Sequence, residues 1–148
     1  MPEVSPTYRI REVNGHDDEI SDTLTELHHL TFFTGAPVPN FDQGHWWLAF
    51  HEGIPIAFAG LVMSTHAANA GYFCRVGVLT KHWGRALQLR LIRAAESRAR
   101  QNGWGCIVSD TTDNVASANN FIRSGYRLYQ PQHPWAWPNS LYWRKSIG

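Results

Sequence analysis

An apolar strand that runs directly into a long amphipathic helix constrains the fold of this chain more than any other feature. Residues 72–79 form an apolar run in which Val76 and Val78 favour a strand. After Gly84, neither proline nor glycine interrupts the chain up to Gln101. The apolar side chains of that segment recur on one side of a 3.6-residue wheel, namely Leu87, Leu91, Ala94, Ala95 and Ala99. We therefore expect a helix over residues 84–101 that packs against a sheet.

The residues before this unit predict one helix and three further strands. Residues 8–13 alternate between apolar and polar side chains, which indicates a short strand. From Asp17 to about Leu30 the apolar residues follow helical spacing, and acidic residues crowd the first turn, where the helix dipole favours them. Residues 46–50 and 56–63 are apolar runs around a tight turn and predict a hairpin. Residues 34–44, rich in proline and glycine, and the polar residues 64–71 predict irregular loops.

The residues after the long helix predict alternating elements of both kinds. Asn102 and Gly103 end the helix, residues 106–108 predict a strand, and residues 109–113 predict a loop. Residues 115–123 form a shorter helix, and residues 126–129 and 141–147 form two final strands around a segment rich in proline and tryptophan, residues 130–139. The order β-α-β-β-β-α-β-α-β-β predicts an α/β fold with a mixed central sheet of about seven strands and flanking helices.

Length and composition exclude several classes of protein. A chain of 148 residues with 43% hydrophobic content fits one globular domain, residues 1–148. The net charge of +1 gives no general field for nucleic acid or an anionic membrane. The sequence has no apolar run long enough to span a bilayer and no signal-peptide pattern at its start, so we expect a cytoplasmic protein. Cys74 and Cys106 lie in apolar runs, and the eight histidines lack metal-binding spacing, so we expect reduced thiols and no metal site.

The turn between the strand and the long helix, residues 78–88, is suited to an anion. A helix that begins here leaves about four backbone N–H groups without acceptors and carries roughly half a positive charge at its N-terminus. Gly84 and Ala86 keep the backbone accessible, while Lys81 and Arg85 flank the turn and could meet phosphates. A plain strand-turn-helix connection with two solvated cations is the alternative.

This turn resembles the Q/R-x-x-G-x-G/A motif of the GNAT superfamily of N-acetyltransferases. Matching the preceding valine and the later helix leucine sets Trp83 at the Q/R position, Ala86 at the first glycine and Gln88 at the last small residue. A rival register places Lys81, Gly84 and Ala86 at those positions, and both registers involve the same amides. The resemblance implies that the pyrophosphate of coenzyme A binds here, with these residues in contact: Lys81, Gly84, Arg85, Ala86, Leu87, Gln88 and Leu89.

A second block, about thirty residues later, carries the resemblance further. The family has an asparagine, a small residue three positions on, an aromatic residue seven on, and glycine plus an aromatic residue at eleven and twelve. Asn114, Ser117, Phe121, Gly125 and Tyr126 fit this spacing without a gap. The resemblance implies that Asn114 and Ser117 contact the pantetheine arm of the cofactor. For Asn114, an ordinary helix N-cap is the alternative.

The resemblance also implies a reaction and its machinery. Acetyl-CoA would lie in a splay between two parallel strands, and an amine would attack its carbonyl directly in a ternary complex. The Val76 N–H would donate to the acetyl oxygen and Val78 would hold the pantetheine arm. Phe121 occupies the position where the family commonly has a tyrosine as general acid, and a phenylalanine cannot donate a proton. The glutamate that some members of the family use on the strand before the turn is also missing from residues 72–79.

The base and the acceptor amine are less defined by the sequence. Four residues from segments that could border the cleft are candidate bases: His45, His66, Asp110 and His133. The loops 34–44 and 130–139 would flank the acceptor, where Phe41, Trp135 and Trp137 could form aromatic walls for a small-molecule or protein amine. The tryptophans could instead pack the last strands or a homodimer interface. A non-catalytic sensor or interaction module that binds acyl-CoA is the alternative function.

Overall fold

One mixed sheet with helices on both faces forms the framework of the protein. The computed structural model describes residues 7–32 and 35–148. Its helices are α1 (Asp18–Thr31), α2 (Leu87–Gln101) and α3 (Val115–Arg123), and a short 3-10 turn spans Thr80–His82. The strands are β1 (Tyr8–Val13), β2 (His45–His51), β3 (Ile54–Met63), β4 (Ala70–Val78), β5 (Cys106–Thr111), β6 (Arg127–Leu128) and β7 (Leu141–Ser146).

The strands follow the order β1-β2-β3-β4-β5-β7-β6, with β4 and β5 parallel and the other neighbouring strands antiparallel. The seven-stranded mixed sheet confirms the predicted fold class. The parallel pair is short, because pairing ends at Tyr72 and Val108 although β4 continues to Val78 and β5 to Thr111. The two strands therefore diverge at their carboxyl ends, as a splay requires.

Each face of the sheet has its own apolar layer. On one face, Leu24 and Leu27 of α1 pack against β2 and β3, including Phe58. On the other, Leu91 and Ile92 of α2 are fully buried in a layer shared with α3 and the sheet. Truncating a buried leucine such as Leu91 to alanine typically costs about 2–5 kcal/mol. The sheet that carries the β4–β5 gap is thus held rigidly from both sides.

Several element boundaries differ from the sequence predictions; β3 and β4, for example, each begin two residues earlier, at Ile54 and Ala70. The helix α2 begins at Leu87 rather than at Gly84, since the 3-10 turn and two left-handed residues precede it. β5 extends to Thr111 through residues predicted as a loop, because β7 pairs with them. The strand predicted over residues 126–129 is only Arg127–Leu128. Thr34, the first residue of the predicted loop 34–44, lies outside the described residues.

Two broader features follow from the described residues. None of the helices in 7–32 or 35–148 is both long and apolar enough to cross a membrane. The same residues contain no group of three or more histidine, cysteine, aspartate or glutamate side chains that could hold a metal ion.

Candidate active site

The gap between β4 and β5 is the centre of the candidate site. Just beyond the last paired residues, the buried Ser109 hydroxyl donates to the Phe73 carbonyl over 2.7 Å. A side chain thus provides the hydrogen bond that a strand amide would otherwise make. From this point the facing edges of the two strands no longer pair with each other.

The hydrogen-bonding phase of β4 determines which amides face the gap. The Leu79 N–H donates to the Ile56 carbonyl over 3.0 Å, toward β3. Backbone groups of successive strand residues point to opposite edges, and the β3–β4 register is continuous from Val76 to Val78. The amides of Val76 and Val78 therefore point away from β3 and toward the gap. Independently, the Val78 carbonyl accepts from the Trp83 indole N–H at 2.8 Å and so lies outside the ladder.

The turn after β4 leaves the N-terminus of α2 open. Gly84 and Ala86 both have left-handed backbone, with φ of 78° and 58°. Ala86 is the N-cap of α2 and makes no side-chain capping bond, so the first amides of the helix lack an intrahelical acceptor. The side chains of Lys81 and Arg85 are exposed beside them. Exposed amides at the positive end of a helix dipole, flanked by two cations, suit a phosphate group.

Helices α2 and α3 are linked by a polar network beside this turn. Gln88 donates to the Ser117 hydroxyl at 2.7 Å, and its amide oxygen accepts from Asn120 at 2.9 Å. The Asn114 side chain caps α3 by accepting from the Ser117 N–H at 3.0 Å. The structure thus brings Gln88, Asn114 and Ser117 together. Asn114 does serve as a helix cap, and its contact with pantetheine stays a prediction.

Phe121 lies in the core at the α3 side of the gap. Its ring is 1% exposed and contacts Phe73 of β4, Tyr126 and Trp143. Phe121 belongs to α3, and its ring faces Phe73 of β4. Nothing on this side chain can donate a proton.

On the α1 side of the sheet, the Asp110 side chain accepts two hydrogen bonds. The Tyr72 hydroxyl and the Trp135 indole N–H both donate to its Oδ2 atom, the latter over 2.9 Å. The Trp135 ring stacks on His66 at 4.2 Å and meets Tyr142 at 4.6 Å. Burial is the largest cause of the raised pKa of Tyr72, followed by the charge of Asp110, so the phenol stays protonated. Asp110 is therefore a carboxylate held within an aromatic cluster beside the gap.

Arg75 is a site residue that the sequence reading did not single out. Its guanidinium donates to the carbonyls of Cys74 and Pro37 at 2.8 and 3.2 Å and lies 5.7 Å from the centre of the Phe32 ring. A bulge at Cys74 in the pairing with β3 turns this side chain to the α1 face. Burial raises the pKa of the Cys74 thiol to about 12, while Arg75 lowers it and Asp110 raises it. The signal in the sequence was a single cation within an otherwise apolar strand.

Other predicted site residues lie elsewhere. Phe41 is 5% exposed and packs edge-on against Trp46 in the α1 layer, so it offers no open wall. Trp137 is 77% exposed, in the loop that also carries Trp135. His45 lies beside Glu12 and Asn102, away from the carboxyl end of β4. His133 is exposed. Of the four candidate bases, Asp110 and His66 are the ones brought to the aromatic cluster.

Comparisons with known proteins bear on the fold and the family of the chain. Residues 15–126 match the sequence model of the Acetyltransferase (GNAT) family. The fold is similar to an IAA acetyltransferase from Bacillus cereus, with 13% identity, TM-score 0.75 and coverage of 95% of this chain and 100% of that one. It is similar to the ribosomal-protein-S18-alanine N-acetyltransferase from Escherichia coli, with 10% identity, TM-score 0.74 and coverage of 95% and 94%.

A candidate acetyltransferase from Salmonella typhimurium, solved with its cofactor acetyl-CoA, is similar at 14% identity, TM-score 0.74 and coverage of 95% and 94%. No curated protein matches the sequence. The family model spans most of the chain, so the chain belongs to the GNAT acetyltransferase family, whose cofactor is acetyl-CoA.

The residues of this chain fit that cofactor. The open amides at the start of α2, with Lys81 and Arg85 beside them, suit its phosphates. Around Gly84 there is open space, since an added Cβ would meet nothing within 4 Å. The amides of Val76 and Val78 line the gap as a strand edge, to which an extended amide-bearing arm can bind. Gln88 is one of the departures from the family pattern, and its long side chain fills space between α2 and α3.

Proposed function

We propose that this protein is an N-acetyltransferase that moves an acetyl group from acetyl-CoA to a primary amine by direct attack in a ternary complex. The phase of β4 carries the proposal, because it turns the Val76 and Val78 amides into the gap beside an open helix N-terminus. When bound, acetyl-CoA supplies an activated acetyl thioester. The chain supplies the positions, charges and hydrogen bonds described below.

The Val76 N–H is the donor to the acetyl oxygen. Because pairing with β3 holds the strand in place, this amide is fixed before the substrate arrives and needs no rearrangement as charge develops on that oxygen. A fixed donor of this kind is typically worth about 3 kcal/mol of transition-state stabilisation where water is excluded. Val78 and Asn114 hold the pantetheine arm, and the first amides of α2 hold the pyrophosphate.

Asp110 is the group that receives the proton from the acceptor amine. It lies on β5 in the part that diverges from β4, and Tyr72 and Trp135 fix the orientation of its carboxylate through Oδ2. The second carboxylate oxygen is left to meet the amine directly or through water. His66, stacked on Trp135, is exposed and can pass the proton to solvent.

The departing thiol needs no protein acid in this scheme. Phe121 cannot protonate it, but a thiol of pKa about 8.5 is a tolerable leaving group near neutral pH. The acceptor side is formed by the Trp135 loop and the carboxyl ends of β4 and β5. Because the Escherichia coli relative is named for acetylating an alanine of a ribosomal protein, a protein amine belongs with small amines among the acceptors to be screened.

Release of free thiol from acetyl-CoA, measured across pooled amines and peptides, tests the proposal. We expect thiol release that depends on the amine and on the enzyme. A protein that is stabilised by coenzyme A but releases no thiol with any pool would instead be a sensor or interaction module that binds acyl-CoA without catalysis. The native phenylalanine at position 121, where the family commonly has a tyrosine as general acid, is the feature that favours this alternative.

A further inference from the structure

Arg75 and Asp110 place one cation and one anion on the acceptor side of the gap. Arg75 is on β4 directly before Val76, whose amide faces the gap, and successive strand residues are only about 3.3 Å apart. Asp110 is on β5 and accepts a hydrogen bond from the hydroxyl of Tyr72, two residues before Cys74, while Arg75 directly follows Cys74. Two opposite charges therefore flank the place where the acetyl group would lie.

Among the residues that the structure describes, the Arg75 guanidinium has no counter-ion. Within residues 7–32 and 35–148, no carboxylate lies within 4.0 Å of it, and its hydrogen bonds go to the two carbonyl oxygens of Cys74 and Pro37. Its Nε atom is buried without a partner. A half-buried guanidinium against an aromatic ring is costly to keep unless an anion compensates its charge. By contrast Arg98, elsewhere in the chain, is paired with Glu12 at 3.0 Å.

The surroundings indicate which anion would fit. A guanidinium presents a planar fork that matches a carboxylate with two parallel hydrogen bonds. A phosphate dianion would usually require a second cation, whereas the other charged group flanking Cys74 is the Asp110 carboxylate. The site is therefore balanced, with one positive and one negative charge. A zwitterion is complementary to such a site, its ammonium toward Asp110 and its carboxylate toward Arg75.

We propose that the acceptor is a free amino acid or a closely similar amino carboxylate, with Arg75 as the residue that binds its carboxylate. The Trp135 and Tyr72 rings beside Asp110 supply apolar surface for the rest of the molecule. This inference rests on the proposed transfer to an amine and narrows it to one class of acceptor. Peptide N-termini, polyamines and amino sugars lack the carboxylate next to the amine and are the competing classes.

A matched substrate series tests the class without any mutation. The proteinogenic amino acids, their α-carboxamides and the corresponding amines without a carboxyl group are compared by thiol release from acetyl-CoA. At least one amino acid should be used with kcat/KM roughly 10- to 100-fold above its carboxamide, as expected for loss of a charge-assisted pair. Equal or better use of the carboxamides or of the simple amines would overturn the carboxylate assignment while leaving N-acetyl transfer in place. If none of these compounds releases thiol but another amine or peptide does, the carboxylate assignment fails alone; if no amine or peptide does, the proposed function fails.

Variants of Arg75 then connect the preference to this residue. Arg75→Gln should raise KM for the amino acid and leave KM for its carboxamide nearly unchanged. The difference in kcat/KM between the two substrates should therefore become smaller. Arg75→Lys, which keeps the charge but loses the fork, should recover part of the difference. Arg93→Gln, at an exposed position on α2, is the control that removes the same charge elsewhere. An Arg75→Gln protein that still melts like the parent yet keeps the full preference would contradict the assignment.

Discussion

The hydroxyl of Ser109 donates to the carbonyl of Phe73 over 2.7 Å, and beyond this bond β4 and β5 separate. Both atoms are buried, and the hydroxyl takes the place of a strand amide at the origin of the gap. Ser109 is a residue that the sequence predicted to lie in a loop. Its role is to complete the hydrogen bonding of β4 where the parallel ladder stops.

The first prediction is that Ser109→Ala lowers the free energy of unfolding by about 1–3 kcal/mol, because the buried Phe73 carbonyl loses its donor. Chemical denaturation with a two-state fit measures the change. Ser97→Ala, at an exposed position on α2, is the control and should be neutral or slightly stabilising, since alanine favours helices. Equal stability of the Ser109→Ala protein and the parent would show that this bond does not support the gap.

The second prediction concerns the open N-terminus of α2. Ala86→Glu should weaken coenzyme A binding at least about tenfold, because a carboxylate beside the amides competes for them and repels phosphates. The fold should tolerate it, since Ala86 already has a Cβ at φ 58°. Ala86→Gln has the same size without the charge and should bind nearly as the parent does.

The shift of melting temperature with coenzyme A reports this binding. For the parent, a hundredfold excess of ligand over its dissociation constant gives about 2.7 kcal/mol of stabilisation. If coenzyme A shifts the melting temperature of the glutamate and glutamine variants equally, the pyrophosphate does not bind at this helix end.

The third prediction tests the amide of Val76. Val76→Pro removes an N–H that faces the gap and is not needed by the β3 ladder, so the strand should still form. We expect kcat to fall about 10²- to 10³-fold, as for loss of one donor to a developing oxyanion. Val76→Ala keeps the amide and is the matched control, with a much smaller effect. If the two variants lose the same activity while both remain folded, another donor stabilises the acetyl oxygen.

The fourth prediction is a pH dependence of stability. His28 is 1% exposed, neither ring nitrogen has a partner among the described residues, and its ring stacks on Phe32 at 4.7 Å. Burial, with the nearby Arg75 and His29, lowers its pKa below the usual 6.5. At a pH between the folded and the unfolded pKa, His28 therefore carries a proton in the unfolded chain but not in the folded one. The stability associated with neutral His28 is fully present above pH 6.5 and is lost as pH falls through the folded pKa.

Denaturation at several pH values between about 7.5 and 5 measures this dependence. His45 and His82 also have lowered pKa values, mainly through desolvation, so they contribute with the same sign. His28→Phe keeps a buried ring without a titrating group and should flatten the dependence, whereas the change His133→Gln, at an exposed position, should not. A parent protein that gains stability on acidification over this range would contradict the sign.

The spacing of hydrophobic residues along the sequence predicted most of the helices and strands of the fold. The amphipathic stretch led by Leu87 and Leu91 packs as one face of α2, and the order of helices and strands is the one expected. The predicted ends of helices and strands were wrong where the backbone conformation or the hydrogen bonding of individual residues differs from what the hydrophobic spacing indicates. Ala86 adopts a left-handed conformation that its sequence does not demand, so α2 starts later than the pattern indicates. Ser109 and Thr111 are polar yet lie in β5, because Phe73 and Trp143 supply their hydrogen-bond partners.

The sequence defined the cofactor side of the site in more detail than the acceptor side. Chain order positions the amides of a strand and of a helix end, and the resemblance assigned Val76 and Ala86 to the cofactor; their contacts with it stay predictions. The acceptor side depends on contacts between distant segments. Asp110 meets Trp135 across the turn before β7, and Arg75 reaches Pro37 only because β4 bulges at Cys74. Phe41 was wrongly expected at an open wall because its burial by Trp46 has no local signature.

Direct N-acetyl transfer is tested by mass spectrometry of the amine pool after incubation with isotopically labelled acetyl-CoA and enzyme. We expect one class of amine to gain a labelled acetyl group, in equal amount to the free coenzyme A released. The gain should be lost in Val76→Pro and retained in Val76→Ala. Labelled acetate as the sole product, or a labelled enzyme that holds the acetyl group without passing it to an amine, would contradict direct N-acetyl transfer.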